Sequence, residues 1–126
     1  MVTDSEKQII EDIVKNLILE KINSKITDID IKSRGVSKSD VAQSFLTDIM
    51  ALGYNNSSKE LAAKDIWKLQ SQMPWTNIKK SDILNRINVS ATKFKIETDC
   101  FMTMINDISN GNDKKTILDN VKRTLG

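Results

Sequence analysis

Lys79, Lys80, Arg86, Lys93 and Lys95 fall within residues 76–95, where Asp82 is the only acid, so this window carries +4 in a chain whose net charge is +2. The flanking segments balance: residues 1–35 carry −1, residues 36–75 carry zero and residues 96–126 carry −1. Charge gathered in one window points to an anionic partner in a way that total charge does not. The partner chemistry that fits is nucleic-acid phosphate. Lysine and arginine neutralise it, and the hydroxyls of Ser90 and Thr92 in the same window add hydrogen-bonding groups. A solvated basic face is the competing reading of these residues.

Other chemistry finds little to build on. The chain has no histidine, which removes the commonest general base and the commonest metal ligand together. Cys100 is the only cysteine and sits among apolar neighbours, so no internal disulfide forms and a buried structural thiol is expected. Asp28-Ile29-Asp30 lacks the glycine and distal glutamate of a calcium loop. None of the glycines belongs to a phosphate-binding loop. No metal and no cofactor are expected, and an enzyme ranks a distant third behind a binding protein. The polar, acidic start and the absence of long apolar runs predict a cytoplasmic protein with no membrane partner.

The elements that must position the window are helices. A chain of 126 residues is long enough for one domain with its own core, and a single all-α domain over 1–126 is expected. Ile10, Val14, Ile18, Ile22 and Ile26 recur every four residues behind a Thr3–Glu6 capping box, predicting a helix over about 4–26. Residues 27–36 alternate at Ile29-Asp30-Ile31-Lys32 and read as a short extended segment. Ser37 caps a helix carrying Val41, Ala42, Phe45, Leu46, Ile49 and Met50, closed by Gly53. Ser57 and Glu60 open a fourth segment that ends at Pro74. Ser81 caps a short helix, Asn88-Val89 forms a turn, and Ser90 caps a long helix to about Asn110. Asp113 caps the last. Six helices in a bundle follow, with Phe94, Phe101, Ile105, Trp67 and Ile49 in the core.

The helix, tight turn and capped helix over 81–110 resemble a helix-turn-helix, with Ile83, Ile87, Val89 and Phe94 at the motif's inner positions. Leu84 departs from the motif where a small residue is usual, and Glu97 where an apolar one is usual. The resemblance implies a DNA-binding regulator or accessory protein. Lys79, Lys80 and Arg86 would meet phosphates, while Ser90, Thr92, Lys93 and Lys95 would face a groove from the start of the second helix. Arg34 to Val41 is similar to the approach to the second helix of ribbon-helix-helix repressors, but a helical period replaces the strand that fold needs. Leu52-Gly53-Tyr54 is similar to the loop of the ubiquitin-associated fold.

The alternative to nucleic-acid binding is a helical protein–protein interaction module anchored by Trp75, which sits beside Pro74. The 91–108 helix is apolar on several faces, which makes it either the central helix of the domain or the interface of a homodimer.

Overall fold

The computed structural model describes residues 2–34, 37–55, 58–71 and 79–126. They form seven helices: α1 (Asp4–Lys25), α2 (Asp28–Arg34), α3 (Lys38–Tyr54), α4 (Lys59–Ser71), α5 (Lys80–Lys93), α6 (Lys95–Ser109) and α7 (Lys114–Leu125). The all-α bundle is as expected, with one helix more than the periodicity showed.

Side-chain caps open α1, α2, α3 and α7. Thr3 Oγ1 accepts from the Glu6 N–H at 3.1 Å while Glu6 Oε1 accepts from the Thr3 N–H at 3.2 Å, the reciprocal box anticipated for α1. Ser37 caps α3 and Asp113 caps α7. Behind the α1 cap, Ile10, Val14, Ile18 and Ile22 are buried in register and make the apolar stripe of that helix.

Helix α3 is the shared wall of two cores. Val41, Ala42, Phe45, Leu46 and Ile49 join α1, α6 and α7 in the larger one. Its far end contributes Leu52 to a smaller core with Ala62, Ala63 and Ile66 of α4 and Ile83 and Ile87 of α5. Helix α6, expected to be buried on several sides, packs on α1, α3, α5 and α7 and buries Glu97, Thr98, Cys100, Phe101 and Met104. Phe94, Phe101 and Ile49 are fully buried as expected, whereas Ile105 and Trp67 are half-buried.

Three local expectations are corrected. Residues 28–34 are helical because Thr27 and Asp30 form a capping pair: the Thr27 N–H donates to Asp30 Oδ2 at 2.9 Å and the Asp30 N–H donates to Thr27 Oγ1 at 3.3 Å. The turn at Asn88-Val89 does not form, and α5 runs through it. No glycine or proline interrupts the helix there, and the hydroxyls of Thr92 and of Ser90, assigned to a cap, sit against carbonyls of the preceding turn. Thr92 Oγ1 donates to the Asn88 carbonyl at 3.0 Å, and Ser90 Oγ lies 3.1 Å from that of Arg86. The break comes instead at Phe94 (φ −115°, ψ 44°), a single residue between α5 and α6. A helix-turn-helix needs a turn of about three or four residues, so that arrangement is not found over 81–110. Val89, assigned an inner position, is 51% exposed. The Ser57 cap, Pro74 and Trp75 lie outside the described residues.

The third correction concerns Gly53. It lies inside α3, and a Cβ placed on it would stand 2.3 Å from Cδ1 of the fully buried Phe101. The glycine lets α6 approach α3, and Tyr54 meets the same ring edge-on at 5.2 Å between centroids. Gly53→Ala should therefore destabilise by about 1–3 kcal/mol through overpacking, although the helix preference alone would favour alanine by about 1 kcal/mol. Thermal unfolding of Gly53→Ala with and without Phe101→Leu checks this, since the smaller partner should recover much of the loss.

Candidate functional site

The structure divides the basic window in two. Arg86, Ser90 and Lys93 are engaged inside the fold. Lys79, Lys80, Thr92 and Lys95 remain exposed.

The inward group is organised by Asp48 of α3, whose side chain is fully buried. Arg86 of α5 holds it from one side, with Nε at 3.0 Å and Nη2 at 2.7 Å from Oδ1. Arg34 of α2 holds it from the other, with Nη1 at 2.6 Å from Oδ2. Ser90 Oγ donates to Oδ2 at 2.7 Å and accepts from Arg34 Nη2 at 3.0 Å. The Arg34 guanidinium also lies 3.8 Å from the centroid of Phe45. Burial lowers the Arg34 pKa below its ordinary value, with the attraction of Asp48 opposing that shift. Ser90 is fully buried in this network, so its assignment to an outward-facing groove contact is corrected.

Lys93 reaches across to Asp30 of α2 and forms an ion pair. Burial alone would raise the Asp30 pKa, but the hydrogen bonds from Lys93 and Thr27 outweigh it and hold the carboxyl below its usual range. A second buried acid, Glu97 of α6, pairs with Lys25 at the end of α1. Among the described residues, Oε2 of Glu97 is the buried side-chain oxygen with no hydrogen-bond partner. Cys100 is buried nearby, and burial together with the Glu97 charge pushes its thiol up to about 11.

The outward group acquires two lysines that sequence reasoning missed. Lys59 of α4 lines a cleft with Thr92 and Lys95. Lys64 of α4 lines the adjoining groove between α4 and α5 with Lys80. Residues 36–75 have no net charge, so a window count along the chain could not reveal them. Among the described residues, no ion pair engages Lys59, Lys64, Lys79, Lys80 or Lys95. Lys59, Lys80 and Lys95 are also the first residues of α4, α5 and α6. There the helix dipole is positive and backbone N–H groups lack helical partners. The N-termini of α5 and α6 have no side-chain cap, unlike those of α1, α3 and α7. Glu60 and Asp99 line the same clefts and temper the charge without cancelling it.

No protein-family model, curated protein or solved structure matches this chain. Among the described residues, no helix is long and apolar enough to cross a membrane, and no group of three or more potential ligands could hold a metal ion.

Removing the buried carboxylate should be costly. Asp48→Ala leaves two guanidinium groups without their shared partner and should lose about 3–5 kcal/mol. Ser90→Ala should lose about 1–3 kcal/mol. Denaturant titration of each variant measures both. Alkylation of Cys100 at neutral pH should occur only as fast as the protein opens, and rapid labelling of the native protein would contradict its burial.

Acid should loosen α2 and weaken the Asp113 cap of α7, whose carboxyl is held low by its hydrogen bonding with Thr116. Because the Asp30 pKa is lowered on folding, its pair with Lys93 stabilises fully above the ordinary value of 3.8 and is lost as pH falls through the lowered one. Amide exchange along α2, followed against pH, should show protection falling only below about pH 4.

Proposed function

We propose that this protein binds nucleic acid, chiefly duplex DNA, by holding its phosphate backbone along the face of α4 and α5, with Lys64 and Lys80 at one end and Lys59 and Lys95 at the other, and acts as a regulatory or accessory protein. The observation that carries this reading is the set Lys59, Lys64, Lys80 and Lys95. These are exposed lysines from three helices, flanking adjoining clefts, with no carboxylate paired to any of them among the described residues. Lys79 extends the set at the uncapped start of α5. Three of the four lysines sit where unpaired N–H groups and the helix dipole also favour an anion.

The mode differs from the one the motif implied. Thr92 and Lys95 line a cleft and do not project from a recognition helix. Lysines make point contacts with phosphate and carry no base information. Binding therefore depends strongly on salt and weakly on sequence. Lys93 and Arg86 contribute to the shape of this face by fixing α5, and not through contact.

The interaction-module reading draws on α4, which leaves Leu61 and Leu69 51% and 62% exposed. Leu61 lies in the same groove as Lys64 and Lys80, so the two readings compete for one surface.

Retention of the full chain on a mixed-sequence duplex, measured against salt, separates them. The protein should bind at about 50 mM salt, and each lysine contact removed by alanine should lower the slope of log affinity against log salt by roughly 0.9. Lys59→Ala, Lys64→Ala, Lys80→Ala and Lys95→Ala should weaken binding to all sequences alike, while the control Lys122→Ala on α7 should not. Failure to bind at low salt would overturn the reading. Full retention of the quadruple variant would move binding off this face.

A further inference from the structure

We infer that Asp48, Ser90 and Phe45 form a recognition pocket for an arginine side chain, which Arg34 fills in cis and which a partner helix bearing a carboxylate four residues before an arginine fills in trans. This inference is independent of the nucleic-acid reading, because it uses none of the exposed lysines.

The pocket meets a guanidinium on every side. Nη1 of Arg34 donates to Asp48 Oδ2 at 2.6 Å and to Ser44 Oγ at 3.2 Å. Nη2 donates to Ser90 Oγ and to the carbonyl of Arg86, each at 3.0 Å. The Phe45 ring lies beneath, 3.8 Å from the guanidinium carbon. A planar fork with donors on both arms satisfies this set, and a lysine ammonium does not.

The helix that delivers this arginine is weakly held by anything else. Helix α2 has seven residues and none of them is buried. Ile29 is 78% exposed, and Ile31 is only half-buried against the larger core. Its other polar anchor is the pair between Asp30 and Lys93. Asp30 and Arg34 lie four residues apart, so one face of one helix supplies both charges. Nearly all the specific attachment of α2 therefore consists of a carboxylate and a guanidinium in that spacing. A second helix with the same pair could make the same contacts with Lys93 and Asp48.

A cleft of about 430 Å³ between α2 and α5 is lined by Arg34, Ser44 and Arg86, and Asp48, Ser90 and Phe45 are fully buried behind the Arg34 guanidinium. Release of α2 alone, with α3 and α5 in place, therefore opens the pocket. Replacing α2 by a matching helix leaves neither Asp48 nor Lys93 unpaired, which removes the main penalty of detachment.

The test uses the full chain and a capped synthetic peptide copying residues 27–34. Titrating the peptide should speed amide exchange along α2 saturably while α3 and α5 keep their protection. The same peptide with lysine in place of its arginine should be about tenfold weaker or worse. In the Arg34→Ala chain the cis competitor is gone, so the peptide should bind more tightly than to the unaltered chain. Asp48→Asn should abolish that binding. Unchanged α2 exchange in the unaltered chain at the highest soluble peptide concentration overturns the inference, as does equal binding of the lysine peptide. Should Arg34→Ala fail to fold, those two measurements on the unaltered chain decide the matter alone.

Discussion

Asp48 is a carboxylate removed from water, and both of its oxygens find partners on two other helices. Arg34 comes from α2 and Arg86 and Ser90 from α5, so one buried charge sets the positions of three elements at once. Apolar contact cannot do this as well, since a hydrophobic seam tolerates sliding and rotation. Charged hydrogen bonds at 2.6–2.7 Å do not. The larger core meets α2 through Ile31 and through Phe45 beneath the Arg34 guanidinium. Without the Asp48 network α2 would have little reason to lie where it does. α5 would keep its apolar packing on α3 and α4 but lose the constraint on its rotation.

That constraint decides how the basic window is divided. With Ile83, Ile87 and Ser90 turned inward, the helical period sends Arg86 and Lys93 toward α2 and leaves Lys80 and Thr92 to solvent. Two cations that looked available for a ligand are thereby committed to structure. The exposed positive charge is rebuilt from α4, whose own segment is electrically neutral along the chain. A surface charge pattern belongs to the fold, and a linear window samples only one helix of it.

Much of the architecture was legible because it rests on short-range physics. The fourfold isoleucine spacing of α1, the caps at Thr3, Ser37 and Asp113 and the apolar stripe of α3 all emerge as expected. What misled were residues with two local uses. Ser90 suits a cap, yet in an uninterrupted helix its hydroxyl turns inward and donates to Asp48. Gly53 suits a helix end, yet its small size is needed against Phe101. The Thr27–Asp30 spacing was a readable cap signal, hidden by the alternation of Ile29 and Ile31. The pairing of Asp48 with Arg34 and Arg86 joins residues 14 and 38 positions away, and no local pattern announces it.

The lysines that remain outside are placed against the electrostatics of their own helices. Lys59, Lys80 and Lys95 each open a helix, where the dipole repels a cation by about 0.3–1 kcal/mol at low ionic strength. Lys38 and Lys114 also open helices, but there the Ser37 hydroxyl or Asp113 carboxylate accepts from the first turn and offsets part of the field. At α5 and α6 no side chain accepts from the first turn, and only the charges of Asp82 and Glu97 temper the field there. The folded protein thus carries a small destabilisation at each of these two helix starts, which lie at opposite ends of α5. A bound phosphate reverses its sign, because the same anion is attracted by the lysine, by the unpaired N–H groups and by the dipole together. Binding then relieves a cost already present in the free protein. A polyanion should accordingly raise the unfolding temperature of this chain in proportion to its affinity, an effect that salt erodes along with the binding itself.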